Sequence, residues 1–123
     1  MILVDTSMWI DHLRQGSEHL AHLLGVGQVV THPYIIGELA LGSLQNRAAV
    51  LGGLKNLPQA FVATDEEVLQ FIEANTVFSR GIGYIDAHLL AAVRLTPGTR
   101  LWTRDKRLLS VSTDLGLAYV ATH

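Results

Sequence analysis

The chain has 123 residues, 49% of them hydrophobic, with no cysteine and a formal net charge of −2. That length fits one domain, 1–123, and the apolar fraction supplies a full core, which excludes long disordered stretches. Without cysteine there are no disulfides, thiol nucleophiles or cysteine-based zinc sites, and the acidic total excludes gripping nucleic acid by bulk charge alone.

Ile2-Leu3-Val4 is a continuously apolar run ending in an acid, the pattern of a central parallel strand covered on both faces. It lacks the basic flank of a signal peptide, and no apolar run approaches the roughly 20 residues of a membrane span, so a cytoplasmic protein without membrane contact is expected. Asp5-Thr6-Ser7 suits a helix cap, and a helical stretch through Trp9, Ile10 and Leu13 stops near Gly16. Ser17 restarts a helix that runs to Gly25. Val29-Val30-Thr31 reads as a second strand, and Pro33 fits the first turn of the helix carrying Ile35, Glu38 and Leu39.

Asn46 to Leu57 is a further helix, weakened by Gly52 and Gly53 and ended by Pro58. Phe61-Val62-Ala63 is expected as a third strand, and Thr64 with Glu67 forms a capping box for the next helix. Tyr84 to Leu95 is a largely apolar helix with Asp86 in its first turn. Leu101-Trp102-Thr103 is a fourth strand, Asp105 to Leu115 a helix, and Leu117 to Ala121 a fifth strand. Alternation of this kind predicts an α/β fold, with a central parallel five-stranded sheet between helices in three layers.

Ligands of open parallel sheets bind beyond the carboxyl ends of the strands. Asp5 and Asp105 lie just past strands, and Glu38 and Asp86 lie near the starts of helices at that same edge. Taken singly each has a plain explanation, an N-cap for Asp5 and a first-turn acid for Glu38 and Asp86. Taken together they form a cluster that costs on the order of 4 kcal/mol for two carboxylates at about 4 Å, at an effective dielectric of about 20. A hard divalent cation offsets that repulsion, and Mg²⁺ or Mn²⁺ would also activate water against a phosphodiester.

Four segments carry a resemblance: Ile-Leu-Val-Asp-Thr-Ser (Ile2 to Ser7), Ile-Ile-Gly-Glu-Leu (Ile35 to Leu39), Tyr-Ile-Asp-Ala-His-Leu-Leu-Ala-Ala (Tyr84 to Ala92) and Leu-Trp-Thr-Arg-Asp-Lys-Arg-Leu (Leu101 to Leu108). The chain resembles a PIN domain, specifically the toxin nuclease of VapBC toxin–antitoxin pairs. The resemblance implies a Rossmann-like sheet, a metal-dependent endoribonuclease leaving a 5′-phosphate, a homodimer and a cognate antitoxin. Operator DNA would be met only through the antitoxin complex. Carried over by position, Asp5, Glu38, Asp86 and Asp105 match the family's acidic quartet, with Asp5, Asp86 and Asp105 as metal ligands. Thr103 matches its hydroxyl residue, and Thr6 is placed to orient Asp5.

Charge is unevenly spread: three cations face eight acids from Met1 to Phe78, and six face three from Ser79 onward. Arg104, Lys106 and Arg107 flank Asp105 and are candidates for RNA phosphates, or simply a solvated first turn. His12, His19 and His22 read as surface imidazoles rather than a zinc site, His88 as a packing or dimer residue, and Trp9 and Trp102 as core. Two rivals remain. A haloacid-dehalogenase-like phosphatase wants Asp-x-Asp after the first strand, where Ser7 stands second, and a phosphoacceptor receiver finds only Ala63-Thr64-Asp65 after the third. The other rival is a catalytically silent dimeric module whose acids bind an antitoxin's arginine.

Overall fold

The computed structural model describes residues 1–121. Strand β1 (Ile2–Val4) is central, with β2 (Val29–Val30) on one side and β3 (Arg100–Trp102) on the other. Both pairings are parallel: Ile2 lies opposite Val29 and Arg100, and Val4 opposite Trp102. Leu3 and Val4 point to opposite faces of the sheet and both are fully buried, so helices cover it on both sides.

The helices are α1 (Thr6–Gln15), α2 (Glu18–Gly25), α3 (Pro33–Ala40), α4 (Arg47–Lys55), α5 (Asp65–Ala74), α6 (Tyr84–Leu95) and α7 (Lys106–Asp114). Local chemistry sets their starts. Asp5, Ser17, His32, Thr64 and Asp105 each cap a helix through the side chain, and Thr64 and Glu67 close the expected capping box. Helix α6 is the most enclosed, with every residue from Ala87 to Val93 buried. Its small Ala87 and Ala91 face Ala63 and Val68, which lets α5 lie close against it.

The expected sheet of five strands is corrected to three. Gln59 makes one parallel bridge to Thr31, through Thr31 N–H to the Pro58 carbonyl and Ala60 N–H to the Thr31 carbonyl, both 2.8 Å. Beyond it β2 offers nothing to pair with, because Pro33 has begun α3. Phe61 instead donates its N–H to Thr96 Oγ1 at 2.8 Å, and Phe61 and Val62 are exposed. At the other edge Ala118 makes one bridge to Leu101. That ladder goes no further: β3 ends at Trp102 and, among the described residues, Thr103 makes no further backbone bond to that segment. The chain passes where both outer strands were expected, yet neither acquires the repeated bonds of a strand. Among the described residues, no helix is long and apolar enough to cross a membrane.

Candidate active site

The carboxyl end of β1 delivers Asp5, whose own N–H donates to the Trp102 carbonyl at 2.9 Å and so joins the tips of β1 and β3. Asp5 is buried, and three donors meet its carboxylate. Thr6 N–H donates to Oδ1 at 2.8 Å, while Ser7 Oγ at 3.1 Å and Thr103 Oγ1 at 2.7 Å donate to Oδ2. Thr103 Oγ1 in turn accepts from Asp105 N–H at 3.1 Å. One buried hydroxyl therefore links the first acid to the backbone of the last, across 98 residues of chain.

Asp105 caps α7, accepting from Leu108 N–H at 2.9 Å. Glu38 lies exposed on α3, held by Thr6 Oγ1 donating to its Oε1 at 3.0 Å. Asp86 is half-buried in the first turn of α6 and accepts from Gly83 N–H at 3.4 Å. Burial pushes the Asp86 carboxyl above its ordinary range, the Gly83 N–H opposes this, and the charges of Asp5, Asp105 and Glu38 push it further up. Asp5 and Asp105 do serve as caps, but capping explains neither Glu38 nor the mutual repulsion felt at Asp86. The structure brings all four acids and Thr103 to one edge of the sheet.

The basic residues beside Asp105 divide. Arg104 forms an ion pair with Asp11 of α1. Arg107 folds over Gly81, whose left-handed conformation (φ 80°) and missing Cβ leave space for the guanidinium stem. Lys106 is exposed. The early histidines are not brought together as ligands: His12 Nδ1 accepts from Ser17 N–H at the α1–α2 junction, and His19 bonds the Tyr119 hydroxyl. His88 is buried and turns to Asp65 rather than to Asp5, and Trp9 and Trp102 are in the core.

Two residues were missed by reading the sequence. Ser7 supports Asp5 and receives the Arg104 N–H, and its only signal is a hydroxyl two residues after a strand-tip acid. Asp11 has no such signal, since its role depends on where Arg104 arrives.

Among the described residues, no group of three acid or histidine side chains forms a ready-made metal cage. The donor set nevertheless fits Mg²⁺, an oxygen-seeking ion that keeps several waters and takes one or two carboxylates from the protein. The raised Asp86 carboxyl fits as well, because burial and then the neighbouring acids hold it up, and a cation at this edge would relieve the second of these.

The PIN domain family profile matches residues 2–113. Two curated relatives, both named Ribonuclease VapC32 and both from Mycobacterium tuberculosis, are 49% identical over 118 residues, which is 96% of this chain and 95% of each relative. With its parallel sheet, its acids at the strand tips and this identity over nearly its whole length, the chain belongs to the PIN-domain family, in the VapC ribonuclease group.

Proposed function

We propose that the chain is a divalent-metal-dependent endoribonuclease that cleaves single-stranded or looped RNA, and that it is the toxin of a toxin–antitoxin pair. The observation that carries this reading is the convergence of Asp5, Glu38 and Asp105 on Asp86 at one sheet edge. The relatives' name supports RNA as the substrate.

Asp5, Asp86 and Asp105 would hold Mg²⁺, with Mn²⁺ as a substitute, and the bound cation supplies Lewis acidity at the phosphoryl group and lowers the pKa of water. The chain's own residues do the rest. Asp5 is locked in orientation by Thr6, Ser7 and Thr103, so its lone pairs need no rearrangement as charge develops. Glu38, fixed by Thr6, is a base suited to accept the proton of the attacking water. Lys106 and Arg107 counter phosphate charge beside Asp105, while the ion pair with Asp11 leaves Arg104 less free to do so. The products are a 5′-phosphate and a free ribose 3′ hydroxyl.

The partner reading rests on a groove of about 360 Å³ between α1, α3 and α4, lined by Ile10, Leu13, Leu39 and Val50 with Arg14 and Glu38 at its edge. It suits an apolar helix of an antitoxin. Because Glu38 belongs to groove and acid cluster alike, an arginine on that helix reaches carboxylates that the cation also needs. A second copy of the chain would cover apolar side chains such as Phe61, Val62, Leu69 and Phe78, which are 44–58% exposed.

Cleavage of a labelled RNA by protein freed of host nucleases, with and without chelator, tests the reading. Cleavage that Mg²⁺ restores and Asp5→Asn abolishes supports it. RNA left intact by a folded, metal-supplied wild type would overturn it in favour of a silent binding module.

A further inference from the structure

Asp86 is bracketed on α6 by two side chains that end on a single atom. Tyr84 OH donates to Asp65 Oδ1 at 2.7 Å, and His88 Nε2 meets the same oxygen at 3.0 Å. Asp65 is the first residue of α5, and its side chain is 76% exposed. It therefore pins the first two turns of α6 from outside the acid cluster. An ionised carboxylate only accepts, so His88 carries a hydrogen on Nε2, and in the neutral ring this leaves Nδ1 as an acceptor.

The bracket extends to α3, the helix that carries Glu38. His32 caps α3 by accepting Tyr34 N–H at its Nδ1, at 3.1 Å, so a neutral His32 carries its hydrogen on Nε2. The Tyr34 ring packs edge-on against both imidazoles, with centroids 5.1 Å from His32 and 4.8 Å from His88. His32 Nε2 and His88 Nδ1 are both buried and lack a partner among protein atoms. With both rings neutral one is a donor and the other an acceptor, and each calls for a partner such as buried water. A metal on His32 is disfavoured, since its Nε2 presents a hydrogen and not a lone pair. Burial first, and then the nearness of His88, hold the His32 imidazole down to about 4, which keeps it neutral.

We propose that Asp65 is a positioning residue for the nuclease reaction: through Tyr84 and His88 it sets the place of Asp86, and through His88 and the Tyr34 ring packed against both imidazoles it ties α6 to the first turn of the helix that bears Glu38. The proposal rests on the nuclease reading above, and the effect is geometric. Asp65 touches neither RNA nor cation; it holds the separation between acids that do.

The test compares Asp65→Asn, which keeps an acceptor for both donors, with Asp65→Ala, which removes it. In saturating Mg²⁺, Asp65→Ala should lower kcat for an RNA oligonucleotide by about ten- to a hundredfold with KM within about twofold, as expected for misplacement of catalytic groups. Asp65→Asn should stay near wild type. Independently of cleavage, ¹⁵N NMR of the intact chain should show hydrogen on Nε2 of His32 and of His88 in wild type and Asp65→Asn. The Gly83 amide, which reports on Asp86, should shift only in Asp65→Ala.

If Asp65→Ala folds poorly, Tyr84→Phe removes one of the two donors and should move the same signals by less. Unchanged kcat in Asp65→Ala, or Asp65→Asn failing as badly as Asp65→Ala, would overturn the proposal. So would a rise in KM alone, which would make the cluster an RNA contact. An inactive wild type that still shows these tautomers and this Gly83 shift would count against the nuclease reading and leave the bracket standing.

Discussion

Replacing Asp5 by Asn separates the chemistry of the site from its architecture, and the structure sets the size of the effect. Asparagine keeps one acceptor oxygen where the carboxylate has two. If that oxygen stays opposite Thr6 N–H, the new amide faces the Ser7 and Thr103 hydroxyls, each of which already accepts a backbone N–H. Both hydroxyl hydrogens then lose the carboxylate acceptor, and the amide can only donate to the hydroxyl oxygens in its place. Two charge-assisted bonds worth about 1.5–3 kcal/mol each give way to weaker neutral ones, a net cost of about 1–3 kcal/mol. Removing one charge from the cluster returns about 3 kcal/mol for a neighbour at about 6 Å and an effective dielectric of about 20, less where Glu38 and Asp105 are exposed. The terms nearly cancel, so the unfolding midpoint should stay within about 8 °C of wild type. Cleavage, which depends on a charge asparagine lacks, should fall by at least about a hundredfold. Thermal unfolding followed by circular dichroism, paired with RNA cleavage in Mg²⁺, reads both. Wild-type cleavage by folded Asp5→Asn refutes the assignment of the acid, and a collapse in stability refutes the balance of terms.

Other outcomes follow from the same geometry. The His32 imidazole is held at about 4 against an ordinary 6.5, so the unfolded chain binds the proton first as pH falls. Stability is full above 6.5, is lost by about 3 kcal/mol on descending to about 4, and His32→Asn, which keeps the cap, should flatten that limb in urea titrations. Asp86 has the opposite sign. Its folded carboxyl holds a proton to higher pH than the unfolded one, so in chelator the unfolding midpoint should fall as pH rises through the window just above 3.8, and Asp86→Asn should remove the fall. Thr103→Val, which breaks the bonds to Asp5 and to Asp105 N–H, should cut cleavage by about 10–100-fold, with Thr103→Ser retaining most of it. Neutralising Lys106 or Arg107 should each reduce the salt slope of single-stranded RNA binding by about 0.7, and Arg104→Gln should do less because Asp11 already holds that guanidinium.

What local sequence determines is visible in the caps and the apolar runs. Ile2-Leu3-Val4 declared a strand buried on both faces, Thr64 with Glu67 declared a helix start, and Pro33 a first turn, because each depends on contacts within a few residues. Asp5 was legible for the same reason: a strand that ends in Asp must leave it at the sheet edge, whereas Glu38 and Asp86 sit inside helices and meet it only through the tertiary fold. The tertiary structure alone decided the width of the sheet. Phe61-Val62-Ala63 has the composition of a strand, but a strand exists only against a partner, and β2 ends where Pro33 turns the chain into α3. Tertiary structure alone also paired Arg104 with Asp11 and set Tyr84 and His88 on Asp65. These contacts join residues 19 to 93 positions apart, a separation at which neither periodicity nor capping carries information, so only the packing of α1, α5, α6 and the β3–α7 turn could bring them together.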